Sequence, residues 1–175
     1  MEWEFSLLYA LQEIHNPILD EIMLFITSLA DVGWFWIALG IIFLVLKKHR
    51  KMGLQLLVSM LCTLIIGNLI LKNIFARPRP CDIDTAVQLL ISRPHGHSFP
   101  SGHSINSMSA AVAIFLNNKK FGIPALILAT LIGFSRLYLF VHFPTDVLVG
   151  FVVAILVAIG VDWAFRKCQI NDLAK

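Results

Sequence analysis

The feature that most limits the folds open to this 175-residue chain is a series of apolar runs, each roughly 15–22 residues long. A soluble core is built from shorter amphipathic pieces and does not need such uninterrupted runs, whereas a bilayer span does. With 58% hydrophobic residues and a mean hydropathy of +0.79, the composition excludes an ordinary soluble domain. Five stretches read as spans: about 31–46, 52–73, 102–116, 121–140 and 145–165. Ahead of them, Trp3, Leu7, Leu8, Leu11 and Ile14 share one helical face, with Glu4, Gln12 and Glu13 elsewhere. That is the pattern of an amphipathic helix lying in the membrane interface. Asn16-Pro17 then signals a helix start, and Asp20 and Glu21 suit its positive end. This helix, about 17–30, is too short to span alone and either lies flat or runs tilted into the next segment.

The fold expected is therefore all-α: an integral-membrane bundle of about five to six transmembrane helices with an N-terminal amphipathic interfacial helix. It forms one domain over residues 1–175, with 1–30 as the interfacial region and 31–167 as the transmembrane core. No low-complexity linker or internal repeat marks a second domain.

The formal charge of +3 would suggest a nucleic-acid partner only if a basic face were free. Most of the basic residues instead lie at span ends or in three short motifs. Lys47, Lys48, His49, Arg50 and Lys51 form one basic turn, Lys119 and Lys120 a second, and Arg166 and Lys167 close the last span. Alternating the spans puts all three clusters on one side, which the positive-inside rule makes cytoplasmic, together with the C-terminus. The loop 76–100, the end of the 121–140 span and the start of the 145–165 span then share the outer, periplasmic face. Three cysteines, Cys62, Cys81 and Cys168, offer no plausible pair, so neither a disulfide framework nor a zinc site is expected. Glu2 and Glu4 stand where a signal peptide would carry a basic region, so no cleaved leader is expected.

The polar residues that remain gather at that outer edge. Lys72 ends a span, with Asn68 one helical turn earlier on the same face, and Arg77-Pro78-Arg79-Pro80 follows as a proline-stiffened turn. A lone lysine here is equally well a snorkelling anchor. Three cations within nine positions, however, repel one another unless an anion joins them, and Asp82 and Asp84 offer only partial neutralisation. Pro100-Ser101-Gly102-His103 opens the next span. Its first-turn N–H groups suit an anion, and His103 stands beside them to give or take a proton; a serine cap with an incidental histidine explains the same four residues equally well. His95 and His97 read as peripheral, and no metal site is expected there.

Arg136 lies within an apolar run, where a charge needs a partner. Pro144 fits the first turn of the following helix, with His142 just outside it and Asp146 within it. A carboxylate so placed reaches back in the manner of a capping box, here toward the imidazole of His142. It would fix one ring nitrogen and leave the other free to attack.

Taken together, Lys72-x6-Arg79-Pro80, Pro100-Ser101-Gly102-His103 and Ser135-Arg136-x5-His142-x3-Asp146 resemble the three-part signature of the type 2 phosphatidic acid phosphatase (PAP2) superfamily. All three parts are present, in order and without substitution, across about residues 50–165. The resemblance implies an integral-membrane, metal-independent lipid phosphatase without a cofactor, acting on a lipid phosphate at the outer leaflet. His142 would attack phosphorus, Asp146 would orient it, and His103 would protonate the leaving oxygen and then activate water. Lys72, Arg79, Arg136, Ser101 and the Gly102 amide would hold the phosphoryl oxygens. Arg77 lies outside the signature and is expected to steer anionic substrate or bind a second phosphate, which gives slight weight to a diphosphate. Undecaprenyl diphosphate is the favoured substrate, with phosphatidate, phosphatidylglycerophosphate and lipid A as alternatives. The same constellation resembles vanadium haloperoxidases, which are soluble and larger, so the spans argue against that reading. A non-enzymatic scaffold would have no need of His103, His142 and Asp146.

Overall fold

The computed structural model describes residues 2–168. The C-terminus, expected on the cytoplasmic side, lies outside the described residues. Nine α-helices follow one another among those described: α1 Glu2–Glu13, α2 Pro17–Ser28, α3 Trp34–Val45, α4 Arg50–Thr63, α5 Lys72–Phe75, α6 Pro80–Ile83, α7 Gly102–Asn117, α8 Lys119–Tyr138 and α9 Pro144–Lys167. The described residues contain no strand, so the chain is all-α. A π-helical segment, Leu64–Leu71, joins α4 to α5 without a break, and the widened turn delivers Asn68 and Lys72 to the motif-bearing end of the bundle.

The centre of the bundle is α7, packed by α4, α8 and α9. Its buried positions are mostly small, including Ser104, Ser107, Ser109, Ala110, Ala111 and Ala113, and small residues let helix backbones approach closely. The tightest approach is at Gly122 of α8, where a methyl group would stand 2.2 Å from the Cα of Phe115. Trp36 of α3 is fully buried and donates its indole N–H to Ser107 at 3.0 Å, which fixes α3 against α7.

Three helical runs are long and apolar enough to cross a membrane: Lys47–Ile83, α8 and α9. A fourth crossing is formed if α2 and Asp31–Val45, bent by 44°, act as one span. Of the two arrangements open to the 17–30 helix, this is the tilted one. The 102–116 stretch is helical, but its 16 residues reach only about 24 Å, short of a full hydrocarbon core. Protein surrounds it on all sides, so its length is set by its neighbours and not by lipid. By length and composition alone, three to four of the expected five to six spans qualify.

Helix α1 turns its two faces differently from the expectation. Glu4 and Leu8 are buried, whereas Trp3, Leu7 and Ile14 face outward. The stripe is therefore divided, with Trp3, Leu7 and Ile14 presented to the surroundings and Leu8 packed inward, and the Glu4 carboxylate points into the protein.

The three basic clusters meet at one end of the bundle. There the rings of Phe43, His49 and Phe121 pack together, and Asn117 hydrogen-bonds Gln55, which donates to Asp162 at 3.0 Å. Arg166 closes this network on Asp162 at 2.7 Å. The three motifs lie at the opposite end.

Candidate active site

A cavity of about 540 Å³ opens at the end of the bundle opposite the basic clusters, and Lys72, Arg79, Gly102, His103, Arg136 and His142 line it together with Asn68. Residues separated by up to 74 positions in sequence therefore meet in one space, with no carboxylate among its lining. Its floor is the start of α7. Ser101 caps that helix, its hydroxyl accepting from the amide of Ser104 at 3.4 Å and from the Ser104 hydroxyl at 2.8 Å. Ser101 is wholly buried and does not line the cavity, so its side chain serves as the cap. Gly102 does line it. A Cβ there would stand 3.2 Å from Asn68 Oδ1 and 3.7 Å from Lys72 Nζ, in the space between the π segment and the helix end.

His142 sits in the turn between α8 and α9, only 2% exposed. Its Nε2 lies 3.0 Å from Arg79 Nη1. A guanidinium can only donate, so Nε2 must carry the lone pair and Nδ1 the proton. Burial, opposed in part by Asp146 and reinforced by Arg79 and Arg136, pushes the His142 imidazole down to about 3. The ring is therefore neutral at physiological pH, with its lone pair on the cavity side. Arg79 is itself held by backbone carbonyls, those of Gly96 at 3.0 Å, Val141 at 3.0 Å and His95 at 3.4 Å. The His95 and His97 side chains are exposed, and only the His95 carbonyl takes part.

Asp146 reaches back as expected, accepting from the Phe143 amide at 2.8 Å in a capping box. Its distance to His142 Nδ1 is 3.6 Å, longer than a hydrogen bond, and Ser98 stands between the two. The Ser98 hydroxyl donates to Asp146 Oδ2 at 2.5 Å and lies 3.4 Å from His142 Nδ1. Ser98 lies outside the three motifs and only the folded loop brings it here.

Arg77 corrects the sequence-based expectation most clearly. It is absent from the cavity lining, and its guanidinium donates to Asp146 Oδ1 at 2.7 Å, to Glu4 Oε2 at 2.7 Å and to the Thr145 hydroxyl at 2.6 Å. It also stacks 4.0 Å over the Phe143 ring. Two carboxylates pair with it and hold it away from the cavity, where it is a counter-ion to Asp146 rather than a ligand for a second phosphate. Glu4 completes this network by accepting from the Thr145 hydroxyl at 2.6 Å. That explains why α1 turns its carboxylate inward.

Two further residues were silent in sequence. Thr27 of α2 accepts from Arg136 Nη1 at 2.5 Å, while Arg136 Nε is buried with no partner among the described residues. Asp31, in the break between α2 and α3, accepts from His103 Nε2 at 3.0 Å. Arg136 is thus anchored at one nitrogen and has donor capacity left for an anion in the cavity.

Comparison with known proteins agrees with this geometry. The PAP2 superfamily model matches residues 52–170, most of the chain and all three motifs. The chain belongs to the PAP2 superfamily. Among its PAP2 relatives, undecaprenyl-diphosphatase BcrC of Bacillus subtilis is 36% identical over 143 residues, covering 82% of this chain and 73% of the relative. The crystal structure of a transmembrane PAP2 type phosphatidylglycerolphosphate phosphatase from Bacillus subtilis is similar at a TM-score of 0.79 and 28% identity, covering 95% of this chain and 86% of that one. Aquifex aeolicus LpxE is similar at a TM-score of 0.81 and 28% identity, over 91% and 94% of the two chains. Membership of the PAP2 superfamily makes this chain a phosphoric ester hydrolase, and its apolar helices make it a membrane protein.

Proposed function

We propose that this membrane phosphatase removes phosphate from a lipid by way of a phosphohistidine at His142, with undecaprenyl diphosphate as its favoured substrate. The observation that carries the mechanism is the lone pair of His142 Nε2, held 3.0 Å from Arg79 in a cavity lined by three cations. Lys72, Arg79 and Arg136 take the phosphoryl oxygens, where the charge of the transition state accumulates. Arg79 leaves the imidazole for the incoming phosphoryl group, and Nε2 attacks phosphorus in line with the departing oxygen. The Nδ1 proton is turned toward Asp146, whose negative charge supports the imidazolium character that develops as the P–N bond forms. His103 gives a proton to the leaving oxygen, then takes one from the water that hydrolyses the phosphohistidine. The amides of the first turn of α7 add donors at the cavity floor.

The diphosphate preference rests on the undecaprenyl-diphosphatase relative, since Arg77 no longer supports it. Similarity to the phosphatidylglycerolphosphate phosphatase structure favours a second reading, a glycerophospholipid monoester. An active site on the outer leaflet follows from the positive-inside rule, because the basic turns and the cavity occupy opposite ends of the bundle. The test is phosphate release by the purified protein from undecaprenyl diphosphate, phosphatidate, phosphatidylglycerophosphate and lipid A, with His142→Ala as control. The diphosphate should give the largest kcat/KM, and His142→Ala should abolish release from every lipid. Undiminished release by the variant would sink the mechanism; a faster monoester would overturn only the substrate.

A further inference from the structure

Asp31 stands in the break between α2 and α3, and the chain there takes an unusual path. Val32 has φ 55° and Gly33 φ 74°, so two successive residues lie in the left-handed region, one of them β-branched. A β-branched residue in that region is strained, and the surrounding structure must offset the strain. The path delivers the Asp31 carboxylate to His103, 72 positions away, with Oδ1 3.0 Å from Nε2.

An exposed ion pair of this kind ordinarily contributes little to stability, and Asp31 is 61% exposed. A carboxylate at the mouth of a phosphate pocket also opposes binding of an anionic substrate. Its presence therefore calls for a role other than stability or affinity. The groups facing His103 supply one. Arg136 and Lys72 both act on it from neighbouring elements, and Arg79 lines the same cavity beside the neutral His142. Burial first, and then Arg136 and Lys72, disfavour an imidazolium at the position where an acid is needed. Asp31 is the one carboxylate in contact with His103 among the described residues, and it favours the protonated ring.

We propose that Asp31 is a positioning residue for His103, accepting Nε2–H so that Nδ1 faces the leaving oxygen and delivers the proton of the imidazolium to it. This rests on the reading of His103 as the acid. As the bond from phosphorus to His142 Nε2 forms, the bond from phosphorus to the leaving oxygen breaks, and that oxygen takes the His103 proton, leaving as a neutral alcohol from a monoester such as phosphatidate and as a lipid monophosphate from a diphosphate. The now neutral His103 next accepts a proton from water, and the resulting hydroxide displaces His142 and releases phosphate. The contribution of Asp31 then depends on how badly the leaving group needs a proton: most for an alkoxide, least for an activated phenolate.

The experiment compares Asp31→Asn, Asp31→Glu and His103→Ala on phosphatidate and p-nitrophenyl phosphate. It reads kcat/KM, which reports the first phosphoryl transfer and not the later hydrolysis. Asp31→Asn should lower kcat/KM on phosphatidate by about tenfold or more, lower it less than about threefold on p-nitrophenyl phosphate, and move the alkaline limb of the phosphatidate profile to lower pH. Asp31→Glu should recover most of the loss, and His103→Ala should show the same leaving-group bias more strongly. Equal losses on both substrates, or an Asp31→Asn profile identical to wild type, would overturn the role of Asp31. If His103→Ala keeps wild-type activity on phosphatidate, the acid assignment itself fails; an inactive His103→Ala beside an unaffected Asp31→Asn removes only this inference.

Discussion

Arg77 Nη1 donates to Asp146 Oδ1 at 2.7 Å, so the carboxylate behind the His142 imidazole has its own dedicated counter-ion. Asp146 is fully buried, and Arg77 is in turn balanced by Glu4 from the far end of the chain. Breaking a buried pair from one side leaves an uncompensated charge, a loss of about 3–5 kcal/mol when no water can reach it. Arg77 is partly exposed, which puts the expected loss at or below the low end of that range. Arg77→Ala should lower kcat by about tenfold or more with little change in KM, because Arg77 does not touch the cavity. Steady-state kinetics on a lipid phosphate checks this; a raised KM at unchanged kcat would place Arg77 on the substrate instead.

Ser98 bridges Asp146 and His142, and its hydroxyl is the closest donor to Asp146 Oδ2, at 2.5 Å. Ser98→Ala leaves that oxygen one bond short, a penalty of about 1–3 kcal/mol for a buried polar group. Part of the loss should fall on orientation of the imidazole, so kcat should drop about 3- to 30-fold while phosphate inhibition stays at the wild-type concentration. Product inhibition measured beside kcat separates the two, and weakened inhibition by phosphate would place Ser98 in the anion pocket.

Gly102 leaves room at the cavity floor. The methyl of Gly102→Ala would stand 3.2 Å from Asn68 Oδ1 and 3.7 Å from Lys72 Nζ, in the path of a phosphoryl oxygen. The variant should fold normally but bind inorganic phosphate or vanadate about tenfold more weakly, a displacement worth about 1.4 kcal/mol. Inhibition constants for both anions test this, and unchanged constants would show that phosphate sits elsewhere.

The pH behaviour of His142 has a definite sign. Burial holds its folded-state value at about 3, below the roughly 6.5 of an unfolded chain. Below about pH 6.5 the unfolded state binds a proton that the folded state refuses, so the stability linked to this ring is complete above that pH. It is lost as pH falls from about 6.5 toward 3, by about 1.4 kcal/mol per pH unit. His142→Gln cannot titrate. The thermal midpoint of the wild type should therefore fall more steeply than that of His142→Gln between pH 6.5 and 4.5. Parallel slopes in detergent would mean that His142 protonates freely in the folded protein.

Much of the site was legible before folding. Lys72, Arg79, Gly102, His103, Arg136 and His142 each sit where an apolar run meets a polar loop, and crossings counted from the basic turns bring them to one end. The supporting groups were not legible for a physical reason. Ser98, Thr27, Glu4 and Asp31 act across 48, 109, 73 and 72 positions, and no local period or motif reports such packing. Glu4 was placed only off the apolar stripe, because helical periodicity says which residues share a face and not which face turns inward. Arg77 was misjudged likewise: a cation beside a phosphate motif and a cation paired to a carboxylate look alike in sequence. The enclosure of α7 by its neighbours was not legible either, because hydropathy does not separate burial in protein from burial in lipid.

The central claim is that His142 carries the phosphoryl group between substrate and water. It is tested most directly by mixing purified protein with a lipid phosphate labelled on the transferred phosphorus and quenching in alkaline detergent within milliseconds. Digestion and peptide mapping then locate the label. A base-stable, acid-labile phosphate on the peptide carrying His142, absent from His142→Ala and accumulating in His103→Ala on an activated substrate, is the expected result. Label on another residue, or full turnover by His142→Ala with no labelled protein, would contradict it.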